Sequence, residues 1–350
     1  MNNRYADAKK NVLVVKLSSM GDVIHTFPVV RAIKKNDPDT QIVWVVSDVY
    51  KELVELSPYV DEVILFRRKK LGKIWKQSVV SQIKDFIMEL REREYDAVLD
   101  LQGLLRSALI TYVARSKVKI GFSYAREGAP VFYNAKVAQI GENVHAIERY
   151  MSALPAFGIA DSAEVEYGLL IPEHDLEWAK TVTPAEPFIV INPNSRWETK
   201  RWPSEKFGAL ALEFLRRTGL RSVIIGADDD KKRGAEVKAV AGSSAVDLTG
   251  SSGFARLSAV LKLSCGLVTN DSGPMHLAVA LKTPVVALFG PTNPARTGPY
   301  GSLNRVVSLQ EPCAPCYKRV CPQGRECMET INVSDVMTAW DNLQTLGVRK

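Results

Sequence analysis

One pattern constrains this chain more than any other: short apolar runs rich in Val and Ile stop at polar turns, and helix-like segments follow. In the first half the runs are Asn11 to Leu17 (NVLVVKL), Gln41 to Val46, Glu62 to Phe66 and Tyr95 to Leu101. In the second half they are Phe188 to Asn192, Ser222 to Ile225, Ala245 to Leu248, Gly266 to Thr269 and Val285 to Phe289. Such runs suit strands buried on both faces, and β alternating with α predicts parallel sheets covered by helices. Helices are expected at Ser204 to Arg217, Asp229 to Val240, Phe254 to Leu263, Met275 to Leu281 and Ser334 to Leu346. At 350 residues the chain exceeds a single core, so two domains of about 150 residues are expected. The expected fold class is α/β with two doubly wound Rossmann-like domains. The segment Gly158 to Pro187 is richer in Ala, Glu and Pro and lacks strong periodicity. It marks the crossover, giving domains over 1–170 and 188–332, a linker over 171–187 and a final helix in 333–350.

In doubly wound sheets ligands collect beyond the carboxyl ends of the strands. Asn270-Asp271-Ser272-Gly273-Pro274-Met275-His276-Leu277-Ala278 reads as a strand turning into a helix. The unpartnered N–H groups and positive dipole of that helix end would hold an anion, and Gly273 permits close approach. Equally, Asp271 or Ser272 caps the helix and Pro274 fills its first turn. Asn192 to Pro203 brings amides, Arg196 and Lys200 to a strand end, a set suited to a pyrophosphate or to a solvated loop over packed tryptophans. The aspartates of Gly226 to Asp230 suit Mg²⁺ on a diphosphate, or a helix cap with a ribose contact. The following Lys231-Lys232-Arg233 favours the cap. In the first half the turn Ser18 to Asp22 and the loop Asp100 to Arg106 occupy strand ends. Asp22 is the carboxylate placed to take a hydroxyl proton, or else a helix cap. His25 lies on about the same helix face.

Several classes are excluded. The turn after the first run holds one glycine where G-x-G-x-x-G needs three, and the chain contains no G-x-x-x-x-G-K-[ST]. No apolar run is long enough for a bilayer, and Met1 to Lys10 lacks a signal-peptide core, so a cytoplasmic location is expected. A net charge of +7 permits an anionic partner. No arginine-rich tail or zinc-finger spacing supports nucleic acid. The basic cluster Arg67, Arg68, Lys69, Lys70, Lys73 and Lys76 precedes an amphipathic helix with Val79, Ile83, Phe86, Ile87 and Leu90 on one face. The helix face reads as packing and the cluster as a site for phosphate-rich or inner-leaflet surfaces. Cys313, Cys316, Cys321 and Cys327 read as a metal or redox group, or as buried thiols that only pack.

Five stretches together carry a resemblance that none carries alone. Lys16 to Thr26 (KLSSMGDVIHT), Tyr95 to Gly103 (YDAVLDLQG), Lys200 to Pro203 (KRWP), Asn270 to Ala278 and Phe289 to Thr292 (FGPT) occur in this order along nearly the whole chain. They resemble the bacterial ADP-heptose:lipopolysaccharide heptosyltransferases, glycosyltransferase family 9, and the Ser-Ser-Met-Gly-Asp form is most like the type adding the first heptose. The cysteine-rich tail is more similar to second-heptose members.

The resemblance implies a GT-B fold whose parallel sheets face across a cleft, with acceptor bound by the N-terminal domain and ADP-heptose by the C-terminal one. It implies inverting transfer of heptose from ADP-L-glycero-D-manno-heptose to the Kdo/heptose inner core, with no cofactor and no obligatory metal. Asp22 is then the base, and Lys200 stabilises the leaving diphosphate. The implied donor contacts are Asn194, Ser195, Lys200, Asp230, Ser252, Asp271, Ser272, Gly273 and His276. Acceptor contacts are expected from Ser19, Met20, Gly21, His25, Arg67, Arg68, Gln102, Arg106 and Arg126. The partners expected are ADP-heptose, a lipid A-Kdo type acceptor and the inner-membrane surface, met peripherally from the cytoplasm. A nucleotide-sugar epimerase or hydrolase, or a non-catalytic ADP-sugar-binding protein, stands as the alternative.

Overall fold

The computed structural model describes residues 11–67, 77–160, 164–251, 253–308, 312–322 and 327–344. The chain divides into two compact units, Met1–Leu170 and Ile171–Lys350. The first unit runs β1 (Asn11–Val15), α1 (Met20–Ile24), α2 (Phe27–Asn36), β2 (Gln41–Ser47), α3 (Lys51–Glu55), β3 (Glu62–Phe66), α4 (Gln77–Arg91), β4 (Ala97–Asp100), α5 (Leu105–Val113), β5 (Lys119–Phe122), β6 (Ala135–Val137) and α6 (Ala146–Met151). Its strands form one sheet in the order β3-β2-β1-β4-β5-β6. All pairings are parallel, with β1 between β2 and β4. Leu13, Val15, Val43, Val45, Val98 and Ile110 pack into its core, as expected for central strands covered on both faces.

The second unit runs α7 (Glu173–Val182), β7 (Phe188–Asn192), α8 (Ser204–Thr218), β8 (Arg221–Ile224), α9 (Lys231–Ala241), β9 (Ala245–Asp247), α10 (Phe254–Leu263), β10 (Leu267–Asn270), α11 (Gly273–Ala280), β11 (Val285–Phe289), α12 (Pro294–Thr297), β12 (Asn304–Ser308) and α13 (Val333–Gln344). Its parallel sheet has the order β12-β11-β10-β7-β8-β9. Read from the β9 edge this repeats the connectivity of the first sheet. α8 shows how the sequence makes these layers. Phe207, Leu210, Ala211 and Phe214 recur at helical spacing and are fully buried. Gly219, at φ +74°, ends the helix in the left-handed conformation that glycine adopts freely.

The expected strands are present within a few residues. β5, β6 and β12 are additional. The 171–187 stretch, expected as a linker, contains α7, which packs on α10. The closing helix is α13, whose Trp340 sits 5.4 Å from the Phe214 ring in an edge contact, inside the second unit's core. Among the described residues no helix is long and apolar enough to cross a membrane.

Candidate active site

In both sheets chain order reverses direction beside the first strand of the unit, between β1 and β4 and between β7 and β10. Crossovers leave such a point on opposite faces, so a crevice opens at the carboxyl ends of the two strands. The polar constellations lie at these two places, one in each unit.

In the first unit Lys16 follows β1 and is buried, with only 2% exposed. Its Nζ donates to Leu101 O beyond β4 at 2.8 Å and to Tyr150 Oη on α6 at 2.7 Å. Gln102 Oε1 accepts the N–H groups of Leu17 and Ser18, each at 3.1 Å. That amide therefore shapes the turn leading to α1. Asp22 lies in the first turn of α1, where its Oδ2 accepts from Ser19 N at 3.0 Å and Ser19 Oγ at 2.8 Å. The Tyr150 hydroxyl donates to Oδ1 at 2.7 Å, and Lys16 Nζ stands 3.6 Å from the same oxygen. The Asp22 side chain remains 36% exposed, so a substrate can still reach it.

Electrostatics match this geometry. Burial alone would raise the Asp22 carboxyl, but Lys16, the Tyr150 hydroxyl and the Ser19 N–H outweigh it and hold the group well below the ordinary carboxylate range. Burial pulls the Lys16 ammonium down, opposed by Asp22 and Asp100. Burial followed by the nearby Asp22 charge pushes the Tyr150 hydroxyl well up, so it remains a proton donor. Asp22 is thus both an element of the helix cap and an ionised, accessible carboxylate.

In the second unit Asn192 Nδ2 bonds Thr269 Oγ1 at 3.0 Å and Ser272 Oγ at 2.8 Å. Asn270 Nδ2 donates to Pro193 O at 2.8 Å, and Asn270 Oδ1 accepts from Trp202 N at 3.0 Å. These crossed amides tie the β7 and β10 turns together. Lys200 Nζ meets Asp271 Oδ2 at 2.6 Å and lies 4.5 Å from the Trp197 ring centre. Thr292 Oγ1 donates to the same Asp271 oxygen at 2.7 Å. The Asp271 side chain therefore does not cap α11; Ser272 is the N-cap residue, and its hydroxyl is engaged by Asn192 and Thr269. The first N–H groups of α11 consequently face this cation-bearing turn without a side-chain cap.

Asn194 Nδ2 donates to Ile225 O at 3.3 Å, whereas its buried Oδ1 has no protein partner. Ser195 Oγ donates to Asp271 O at 2.9 Å. Asp230 Oδ2 accepts from Ala227 N at 2.9 Å at the entrance to α9, and His276 is buried in α11. The structure thus gathers Asn194, Ser195, Lys200, Asp271, Ser272 and Gly273 around the β7 and β10 turns, with Asp230 at the neighbouring β8 turn. Ser252 lies outside the described residues.

In the first unit the structure gathers Ser19, Met20, Gly21, Asp22, His25 and Gln102. Arg106 is exposed at the start of α5, its guanidinium 5.8 Å from the Phe66 ring. It lines a mostly apolar groove of about 610 Å³ with Arg67. Arg126 is exposed, its backbone N–H bonded to Gly103 O. Arg68, Lys69, Lys70, Lys73 and Lys76 lie outside the described residues. Among the described residues the four clustered cysteines form no disulfide. Among the described residues no group of three or more His, Cys, Asp or Glu is arranged to hold a metal ion.

Tyr150, Thr292, Asn192 and Asn270 take part in these networks without having been singled out as site residues in the sequence. Lys16 did leave a trace there, as a lysine ending an otherwise apolar run. Nothing in the sequence around Tyr150 points to Asp22, 128 positions away.

Comparison with known proteins bears on the family and the fold. Residues 83–326 match the sequence model of glycosyltransferase family 9 (heptosyltransferase). The chain is 33% identical over 317 residues to a Pseudomonas aeruginosa protein named lipopolysaccharide heptosyltransferase 1, covering 89% of this chain and 87% of that one. It superposes on the structure of the E. coli heptosyltransferase WaaC with ADP at a TM-score of 0.79 and 26% identity, covering 95% of this chain and 99% of that one. The structure of WaaC with ADP-2-deoxy-2-fluoro heptose matches at 0.77, with the same identity and coverage.

Proposed function

Because this chain belongs to glycosyltransferase family 9, the heptosyltransferases, we propose that it transfers heptose from ADP-heptose to the inner core of lipopolysaccharide, with inversion at the anomeric carbon. The WaaC complexes with ADP and with a fluorinated ADP-heptose support the donor. The relative named lipopolysaccharide heptosyltransferase 1 supports a lipid A-Kdo type acceptor. The observation that carries the chemistry is Asp22: an ionised carboxylate at a strand-end turn, fixed through both oxygens and still 36% exposed.

The acceptor hydroxyl attacks the anomeric carbon as the bond to the ADP oxygen breaks, and its proton passes to Asp22. A strongly acidic carboxyl is a weak base, so the proton moves late, once the new C–O bond has made the hydroxyl acidic. Lys200 and the uncapped N–H groups at Ser272 and Gly273 balance the charge that grows on the leaving diphosphate. With that cation and helix terminus, the reading requires no metal. The acceptor is borne on a lipid, and Arg67, Arg106 and Arg126 supply cations for its anionic groups and for peripheral contact with the inner-membrane surface.

The test is transfer from ADP-heptose to a Kdo-bearing lipid A acceptor in a chelator, followed by mass spectrometry. Wild-type protein is expected to turn over. Asp22→Asn is expected to lose at least about 100-fold in rate while binding ADP as the wild type does. Near-normal turnover by Asp22→Asn removes Asp22 from the base role, and consumption of donor without acceptor replaces transfer by hydrolysis or epimerisation.

A further inference from the structure

We propose that Tyr150 and Lys16 are positioning residues for the base: Tyr150 fixes Asp22 Oδ1 from α6, and Lys16 places a balancing cation beneath the same oxygen. The proposal rests on Asp22 being the base. An ammonium has three N–H donors and no acceptor. Lys16 Nζ donates to Leu101 O at 2.8 Å and to Tyr150 Oη at 2.7 Å, and it stands at ion-pair distance, 3.6 Å, from Asp22 Oδ1. The Tyr150 hydroxyl accepts from Lys16 and donates to Asp22 Oδ1 at 2.7 Å. A directed chain, Lys16 to Tyr150 to Asp22, therefore runs from the buried interior to the accessible carboxylate.

Among the described residues around this chain, Lys16 is the buried cation with the larger effect on Asp22, and His25 adds a smaller one in the same direction. Asp100, at the end of β4, is committed to the N–H groups of Gln102 and Gly103 and to the Tyr133 hydroxyl. His25 on α1 faces His145 at the start of α6, with ring centres 5.3 Å apart. Arg149 on α6 and Tyr124 add weaker influences on Tyr150. On the far side of the carboxylate, Ser19 supplies two donors to Oδ2. A carboxylate accepts about four hydrogen bonds. The three short ones to Tyr150 and Ser19 leave capacity for the acceptor hydroxyl. During transfer that hydroxyl's O–H bond breaks as its oxygen joins the anomeric carbon, the glycosidic electron pair leaves with ADP, and the proton resides on Asp22 until water takes it. Lys16 and Tyr150 exchange no proton in this scheme. They set the ionisation and orientation of the group that does.

The experiment is the pH dependence of kcat/KM for transfer in wild type, Tyr150→Phe, Lys16→Met and Asp22→Asn, with ADP-heptose and the Kdo-bearing acceptor. Asp22 is held low in the folded protein, so removing a group that holds it low lets its pKa rise, and the acid limb moves to higher pH. Tyr150→Phe is expected to move that limb up from below the ordinary carboxylate range, so that its loss of rate is largest at the acid end of the profile. Lys16→Met is expected to move it further. Titrations of the substrates are common to all variants and do not alter the differences. A loss of rate in Tyr150→Phe that is equal at every pH, with the limb unmoved, overturns the proposal. If Lys16→Met does not fold, judged by its melting transition, Tyr150→Phe decides alone, because it keeps the ring. An inactive Asp22→Asn with an unmoved Tyr150→Phe limb sinks only this proposal, whereas an active Asp22→Asn sinks the base assignment itself.

Discussion

Lys200 is the residue through which the second unit presents its charge, and Asp271 engages that charge. Its Nζ lies 2.6 Å from Asp271 Oδ2, and both side chains are largely buried, at 16% and 8% exposed. On the proposed function, a diphosphate entering this turn competes with Asp271 for the ammonium, and donor binding exchanges one ion pair for another. Lys200→Met is expected to weaken ADP binding at least about tenfold and to cost roughly 1–3 kcal/mol of stability. The stability cost is modest because the Thr292 hydroxyl still serves Asp271. Calorimetric titration with ADP and thermal melting measure the two effects separately. Lys200 and Asp271 were legible in the sequence as charged residues at strand ends, but their pairing was not. A short polar stretch after an apolar run fits a helix cap as well as an anion site, and only the 71-residue separation closed by the fold decides where the Asp271 side chain goes. Tyr150 was illegible for the same reason: its role depends on a hydroxyl reaching another element, while its local sequence is that of an ordinary helix.

Among the elements, the central strands were readable because burial on both faces makes their positions apolar up to the polar residues at the carboxyl ends. β5, β6 and β12 escaped because they are short or polar: KIGF, AKV and NRVVS. The last two form sheet edges, where one-sided pairing relaxes the demand for apolar residues. α7 was hidden by its proline-rich surroundings, although Pro172 precedes it and Glu173 and Asp175 suit its first turn. The β8 turn shows how tightly the elements of the donor side approach. A Cβ at Gly226 would lie 2.6 Å from Asn194 Nδ2 and 3.0 Å from both Asp230 Cβ and Thr249 Cγ2. Gly226→Ala must therefore displace Asn194, whose neighbouring Ser195 supports Asp271. The expected result is a loss of about 1–3 kcal/mol in stability from overpacking, together with weaker ADP binding. Unchanged ADP affinity in that variant would show that Asn194 takes no part in holding the donor.

For the whole molecule, the net charge of +7 and the exposed apolar side chains of α4 and α5, among them Val80, Met88, Leu109 and Tyr112, suit a surface that is both anionic and apolar. Sedimentation with vesicles containing anionic lipid is expected to carry the protein down at low salt, with binding falling as ionic strength rises. Equal binding to neutral vesicles would remove charge from the account. The family resemblance was readable over nearly the whole chain because it rests on short motifs at strand ends, whereas the supporting contacts had to be found in three dimensions. The two sheets share one connectivity, and each brings its polar groups to the same reversal of strand order. Every hydrogen bond described for Asp22 closes within the first unit, and every one described for Lys200 closes within the second. The two networks are therefore wired separately, and Tyr150→Phe is expected to leave ADP affinity unchanged in calorimetric titration.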